Sequence, residues 1–188
     1  MNINRTWANV INAIALNLVW MCAVVGAAVG QAWFGPVAMS IFVLGHLPYA
    51  DRHDLRIVLV LLPLGIIIDS IYAATGMITY ASPWPSTQFA PVWIISLWIA
   101  FALTIRHSMR LITEKLPFAL LLGGVFGPVS YWFAGNVWGA AQFNWSTPAW
   151  FAVIGVSWAG VMALCHWLLK LEAAESAASL APVAAAES

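Results

Sequence analysis

The chain has little charge and little cysteine. Only 7% of its 188 residues are charged, whereas soluble domains carry about 25%. Basic and acidic residues number seven each, so the formal net charge is zero and no basic surface for nucleic acid is predicted. The two cysteines, Cys22 and Cys165, lie far apart within apolar stretches. They form no CxxC motif, and neither a disulfide framework nor a cysteine metal site is predicted.

The chain is instead rich in long apolar stretches. Apolar residues make up 63% of it, and its mean hydropathy is +0.88. A helix needs about 20 apolar residues to cross a bilayer, and several stretches reach or approach this length. They predict an all-α integral membrane protein, a six-helix bundle within residues 1–170. The predicted spans are residues 7–29, 32–47, 57–77, 91–108, 117–138 and 149–169. Residues 171–188, rich in Ala, Ser and Glu, are predicted to form a disordered cytoplasmic tail.

The basic residues all fall on one side of this predicted bundle. With six spans, both termini and the loops after the second and fourth spans share that side. The positive-inside rule makes this side cytoplasmic, so both termini are predicted to lie in the cytoplasm. The basic residues are Arg5, Arg52, Arg56, Arg106, Arg110, Lys115 and Lys170.

Asp69 is the only acidic residue inside a predicted span. Insertion scales put an Asp at a helix centre at roughly 2.5–3.5 kcal/mol, and an intramembrane carboxylate is a functional-site hypothesis by default. Helical spacing places Gly65, Asp69 and Tyr72 on one face. Two interpretations stay open: Asp69 binds a ligand or a proton, or it fixes helix packing through a hydrogen bond to Tyr131, Asn17 or a tryptophan N–H.

Other polar and aromatic side chains fall at a similar depth to Asp69, in the outer half of the bilayer, when a rise of about 1.5 Å per residue is applied. Together they predict a site for a lipid-like or isoprenoid-like small molecule. The candidate ligand-binding residues are Asp69, Tyr72, Trp98, Tyr131, Ser130, Asn17, Trp20 and Trp158.

Two other functions remain open. The GxxxG pairs Gly26/Gly30, Gly123/Gly127 and Gly135/Gly139 permit close helix approach, which suits an accessory or assembly subunit of a membrane enzyme, or a homo-oligomer. A small proton-coupled transporter is a further alternative, although no inverted repeat is visible. No nucleophile–base pair is evident, so catalysis is left open. The expected partners are membrane lipids.

Three histidines lie at the cytoplasmic ends of predicted spans: His46, His107 and His166. Two of them on facing helices would be able to ligate haem or another metal. No HxxxH or HxxHH spacing occurs, so a di-iron site is not predicted. The sequence indicates no cofactor, and a haem or metal held by these histidines is the alternative.

A set of motifs between Asn12 and Leu169 matches a family pattern. The motifs are Asn12 with Asn17 and Trp20, His46, the pair Asp69-Ser70, Gly76, Tyr80, the run Pro91-Val-Trp93-Ile-Ile-Ser-Leu-Trp98 to Thr104, His107-Ser108, and Gly127-Pro128-Val-Ser130-Tyr131. On these residues the chain resembles a family of uncharacterised bacterial inner-membrane proteins, classed as a domain of unknown function. The resemblance implies a multi-pass protein of the inner membrane. Genes of that family often lie beside those for cyclopropane-type or other modified fatty acids, which implies a lipid-related role by association.

Overall fold

The computed structural model describes the backbone of residues 3–186 and the side chains of residues 6–179. The chain forms eight α-helices within this range, with a 3₁₀ turn after the second and a π-helical segment after the sixth. The first four helices are α1 (Ile3–Ala28), α2 (Phe34–His46), α3 (Arg52–Ala74) and α4 (Val92–Ala102). The others are α5 (Arg110–Thr113), α6 (Leu116–Leu121), α7 (Gly127–Asn136) and α8 (Thr147–Ala186). The 3₁₀ turn is Leu47–Tyr49 and the π-helical segment is Leu122–Phe126.

Four helical stretches of the described chain are long and apolar enough to cross a membrane: Thr6–Ala28, Arg52–Ala74, Leu116–Asn136 and Thr147–Ser179. Two shorter apolar stretches, Phe34–Tyr49 and Val92–Ala102, lie where the second and fourth spans were predicted. The α-helical class predicted from the sequence is therefore confirmed. The fourth helix ends at Ala102, before the predicted residue 108, because the backbone turns over residues 103–109.

The start of α3 is set by a capping box. Asp51 precedes the helix, and its Oδ1 accepts hydrogen bonds from the backbone N–H groups of His53 and Asp54 at 2.7 and 3.2 Å. Asp54 Oδ2 accepts the Asp51 N–H at 3.1 Å in return. These bonds satisfy donors that a helix start leaves free. The helix therefore begins at Arg52 rather than at the predicted residue 57.

Two short strands join the loops at the opposite end of the bundle. Strand β1 (Ile78–Tyr80) pairs antiparallel with β2 (Ala141–Phe143), with Tyr80 opposite Ala141. Asn144 Nδ2 strengthens the junction by donating to the Gly76 carbonyl at 3.0 Å. This ladder is not predicted from the sequence, because three-residue strands are too short to show an alternating pattern.

The C-terminal helix continues past the predicted end of the sixth span at residue 169. The sequence predicts disorder from residue 171, whereas α8 runs to Ala186 and residues 187 and 188 lie outside the described range. Alanine is the strongest helix former, and two carboxylates of this segment are paired. Glu172 bonds to Arg106 and Glu175 bonds to Arg56, which holds the helix against the rest of the bundle.

Small residues bring the π-helical segment and α7 close to α8. A methyl group added at Gly123 would overlap the backbone carbonyl of Trp158, and one at Gly127 would overlap its side chain. Gly155 on α8 approaches the Gly124 carbonyl in the same way. In the structure, the Gly123/Gly127 pair therefore packs directly against α8 and positions Trp158.

Candidate functional site

Asp69 is fully buried on α3 and accepts three hydrogen bonds. Its Oδ1 accepts from the hydroxyls of Tyr80 at 2.6 Å and Tyr131 at 2.7 Å. Its Oδ2 accepts from the Trp98 indole N–H at 2.7 Å. Bonds of this length are typical of a carboxylate acceptor. We call Asp69, Tyr80, Trp98 and Tyr131 the Asp69 cluster. No basic side chain in the described part of the chain forms an ion pair with Asp69.

Each donor of the Asp69 cluster comes from a different element. Tyr80 is placed by the β1–β2 ladder, Trp98 by α4 and Tyr131 by α7. The Trp98 indole lies directly on Gly65, one turn before Asp69, and a methyl group at Gly65 would overlap the ring. A glycine at this position is therefore what allows Trp98 to reach the carboxylate.

An aromatic stack extends from the cluster towards α8. The rings of Trp98 and Trp158 are stacked, with centroids 4.9 Å apart and planes inclined by 15°. Phe101 packs edge-on against both rings. The buried Trp158 Nε1 has no hydrogen-bond partner among the described residues. Buried N–H groups are nearly always paired, so an unpaired donor in this position is unusual.

Some of the predicted site residues bond to Asp69 and others do not. Tyr131 and Trp98, two of the partners proposed for Asp69, do form hydrogen bonds to it. Tyr72 is buried and edge-on to Tyr131 at 6.1 Å, but its hydroxyl has no partner among the described residues. Asn17 is exposed and donates to Ala13 O within its own helix at 2.8 Å, so the suggested bond from Asn17 to Asp69 is not formed.

Tyr80 is the member of the cluster that the site prediction missed. It belongs to the motifs that carry the family resemblance, but it lies between the predicted spans 57–77 and 91–108, outside any predicted helix. Its role depends on the β1–β2 ladder, which turns the chain back over the end of α3. The one indication of this role in the sequence is a tyrosine that follows Asp69 by eleven residues.

An apolar cleft of about 600 Å³ lies beside the cluster, within the range of small-molecule sites. Tyr80, Trp98 and Tyr131 line it, whereas Asp69 and Tyr72 do not. The other predicted residues that line it are Asn17, Trp20, Ser130 and Trp158. Apart from these residues the lining is almost wholly aliphatic, aromatic or glycine. We call this space the aromatic cleft.

A second cluster lies at the charged end of the bundle, around Arg106. Its guanidinium forms a bidentate pair with Glu172, at 2.9 and 2.6 Å. It also contacts Oδ1 of Asp51 at 2.7 Å and Oδ1 of Asp54 at 3.0 Å. Burial alone would lower the pKa of Arg106, but the three carboxylates outweigh it and the pKa is raised. Burial acts to raise the pKa of Asp51, but the bonds from Arg106 and from two backbone N–H groups lower it overall.

The histidines are only partly brought together. The rings of His46 and His107 are edge-on, with centroids 4.6 Å apart, and both lie beside Asp54. His166 is held elsewhere, with Nδ1 at 2.9 Å from the Thr113 carbonyl. Of the three histidines, His46 and His107 are therefore brought together, beside Asp54, whereas His166 is not.

The family model described as "Protein of unknown function (DUF2878)" matches residues 9–164. The chain belongs to this family. The match runs from α1 into α8 and includes every member of the Asp69 cluster. It confirms the resemblance to a family of uncharacterised proteins. No curated protein and no solved structure matches the chain.

Proposed function

We propose that this protein is a six-pass membrane protein that binds a lipid-like or isoprenoid-like molecule in the aromatic cleft. The observation that carries the proposal is an apolar cleft of about 600 Å³ whose lining includes the exposed polar side chains of Asn17 and Ser130. Such a cleft suits a long apolar ligand with a single acceptor oxygen, for example a hydroxyl or carbonyl group.

Exposed apolar side chains on several helices support a lipid environment. Ile11, Ile41, Leu59 and Val156 are each more than 60% exposed and lie on α1, α2, α3 and α8. Soluble monomers rarely expose contiguous apolar surface of this kind. In a bilayer these side chains would face acyl chains.

The two short helices are compatible with six passes. Val92–Ala102 extends only about 16 Å at 1.5 Å per residue. The turn that follows it is buried, with Leu103, Thr104 and Ile105 at most 7% exposed. Irregular backbone at membrane depth is tolerated where protein surrounds it. We therefore count α2 and α4 as passes and place both termini in the cytoplasm.

The proposed role of Asp69 is to position side chains of the cleft. All three of its donors line the cleft, whereas the carboxylate itself lies behind them. Asp69 thus orients the rings of Trp98 and Tyr131, and Asn17 or Ser130 on the cleft lining supplies the hydrogen bond to the ligand.

Native mass spectrometry of the full chain in mild detergent tests this function. The expected result is a bound lipid that survives gentle activation in the wild type. Val137→Trp should reduce the amount of retained lipid several-fold, because Val137 lines the cleft and is 52% exposed, and the larger side chain would fill space there. Val156→Trp is the matched control, since Val156 is 76% exposed and lies outside the cleft.

Two results would count against binding in the cleft. One is equal lipid occupancy in the Val137→Trp and Val156→Trp variants, which would indicate general annular lipid. The other is the absence of retained lipid together with a stoichiometric protein partner, which would favour an accessory subunit.

A further inference from the structure

Three potential metal ligands converge at the charged end of the bundle, away from the aromatic cleft. His46 ends α2, Asp54 lies in the first turn of α3 and His107 follows α4. His107 Nε2 lies 3.1 Å from Asp54 Oδ1, and His46 Nε2 lies 3.9 Å from Asp54 Oδ2. One ligand atom from each residue falls within 4.8 Å of the other two. Three separate elements therefore direct nitrogen and oxygen donors to one point.

The His46 side chain points to a ligand at this place. It is 6% exposed, and its Nε2 has no hydrogen-bond partner among the described residues. Leaving a buried polar atom unpaired costs about 1–3 kcal/mol. The nitrogen faces Asp54 Oδ2 at 3.9 Å, which is too long for a hydrogen bond. That separation does suit two ligands of one metal ion.

The charges of the groups nearest the three ligands also favour a cation. Asp51, Asp54 and Glu172 surround one guanidinium, that of Arg106. With both imidazoles neutral, these four groups leave an excess of two negative charges. A divalent ion would balance them. Of the other charges at this end, Arg56 pairs with Glu175 and Arg110 with Glu114, whereas Arg52, Lys115 and Lys170 form no ion pair in the described part of the chain.

We propose that His46, Asp54 and His107 bind a divalent first-row transition metal ion of the Zn²⁺ or Fe²⁺ type. Imidazole ligands select such ions over Mg²⁺ and Ca²⁺. Metal–ligand bonds of about 2.0–2.2 Å place the ligand atoms of one ion roughly 3–4 Å apart. The separations of His107 Nε2 from Asp54 Oδ1 and of His46 Nε2 from Asp54 Oδ2, 3.1 and 3.9 Å, fit this range and involve both oxygens of the carboxylate. Three protein ligands leave a coordination position open for water.

In this site Arg106 contacts a ligand residue, Asp54, and not the metal ion itself. It holds Oδ1 of Asp54 at 3.0 Å and is itself held by Glu172. Outer partners of this kind fix the orientation of ligating carboxylates. Glu172 of α8 thereby stabilises a site formed by α2, α3 and the turn after α4.

A metal titration of the full chain in mild detergent tests the site. After removal of metal with EDTA, Co²⁺ is added and its visible absorption is followed, and Zn²⁺ is then used to compete it away. The expected result is one ion per chain. His46→Gln and His107→Gln should each weaken Zn²⁺ binding at least tenfold. His53→Gln and His166→Gln are matched controls, because neither residue belongs to the cluster, and both should bind as the wild type does.

The wild-type titration decides the proposal without relying on any variant. Failure of the wild type to bind Co²⁺ or Zn²⁺ at micromolar concentration would overturn it. Equal loss of affinity in the His53→Gln control would also overturn it, since binding would then be to scattered histidines. Helical circular dichroism of each variant shows whether a loss of binding reflects unfolding.

Discussion

At the scale of single residues, burying Asp69 costs free energy, and three hydrogen bonds offset that cost. A buried carboxylate loses its hydration, and such groups persist when hydrogen bonds replace the water. Tyr80, Trp98 and Tyr131 supply three donors at 2.6–2.7 Å. Hydrogen bonds to charged groups contribute about 1.5–3 kcal/mol each. The cluster therefore both tolerates the acid and ties α3 to α4, α7 and β1.

Tyr80→Phe should lower the free energy of unfolding by about 1–3 kcal/mol, because it removes one of these donors from a buried carboxylate. Thermal unfolding in detergent measures the effect. Tyr49→Phe is the control, since Tyr49 is 69% exposed and its removal should leave stability unchanged. Equal melting temperatures for the two variants would contradict the donor role of Tyr80.

Asp51 makes stability depend on acid pH. Its folded pKa lies below the ordinary value of 3.8, so its contribution is present above that value and is lost as the pH falls through the folded pKa. We expect the wild type to lose stability as the pH is lowered below about 4. Asp51→Asn, which keeps a helix cap, should show a smaller loss between pH 5 and pH 3. Melting temperatures across this range provide the measurement, and parallel curves for the two proteins would refute the expectation.

At the scale of elements, the crossing of α3 and α4 depends on one glycine. Gly65 leaves space for the Trp98 indole, which then reaches Asp69. The helical spacing of Gly65, Asp69 and Tyr72 was readable from the sequence. The partner that fills the space at Gly65 was not, because it comes from another helix.

Gly65→Ala should destabilise the protein by more than 1 kcal/mol, since the new methyl group forces Trp98 away from Asp69. Gly160→Ala is the matched control within a helix. Nothing lies within 4 Å of a methyl group at Gly160, so this change should be neutral or stabilise by up to about 1 kcal/mol. Unfolding midpoints of both variants test the contrast. A Gly65→Ala protein as stable as Gly160→Ala would show that the indole adjusts freely.

At the scale of the whole molecule, the two ends differ in chemistry. One end collects the ion pairs of Arg56 and Arg106 with α8, and the other end carries the uncharged β1–β2 ladder. Reporter fusions test the proposed orientation. A reporter at the C-terminus should be cytoplasmic, and one inserted after Thr87 in the β1–α4 loop should be external. Both reporters on one side would contradict the six-pass topology.

Much of the fold follows from patterns that are local in sequence. Continuous apolar runs predict the long helices, and an acidic residue in such a run marks the site at Asp69. Contacts between distant segments were harder to predict. The ladder that places Tyr80 and the helical extension held by Glu172 both depend on partners far along the chain. For the same reason, the pairing of His46 and His107 with Asp54, rather than with His166, emerged only from the structure.

The most direct test of the central claim is photo-crosslinking with a diazirine-labelled fatty acid in membranes, followed by peptide mapping. The account predicts labelling of Leu97 and Met162, which line the aromatic cleft although Met162 is only 1% exposed. Labelling of these two residues should fall in the Val137→Trp protein. Labels confined to outward-facing positions such as Ile67 and Val156, which are 56% and 76% exposed, would show that lipid only surrounds the bundle and would contradict binding in the cleft.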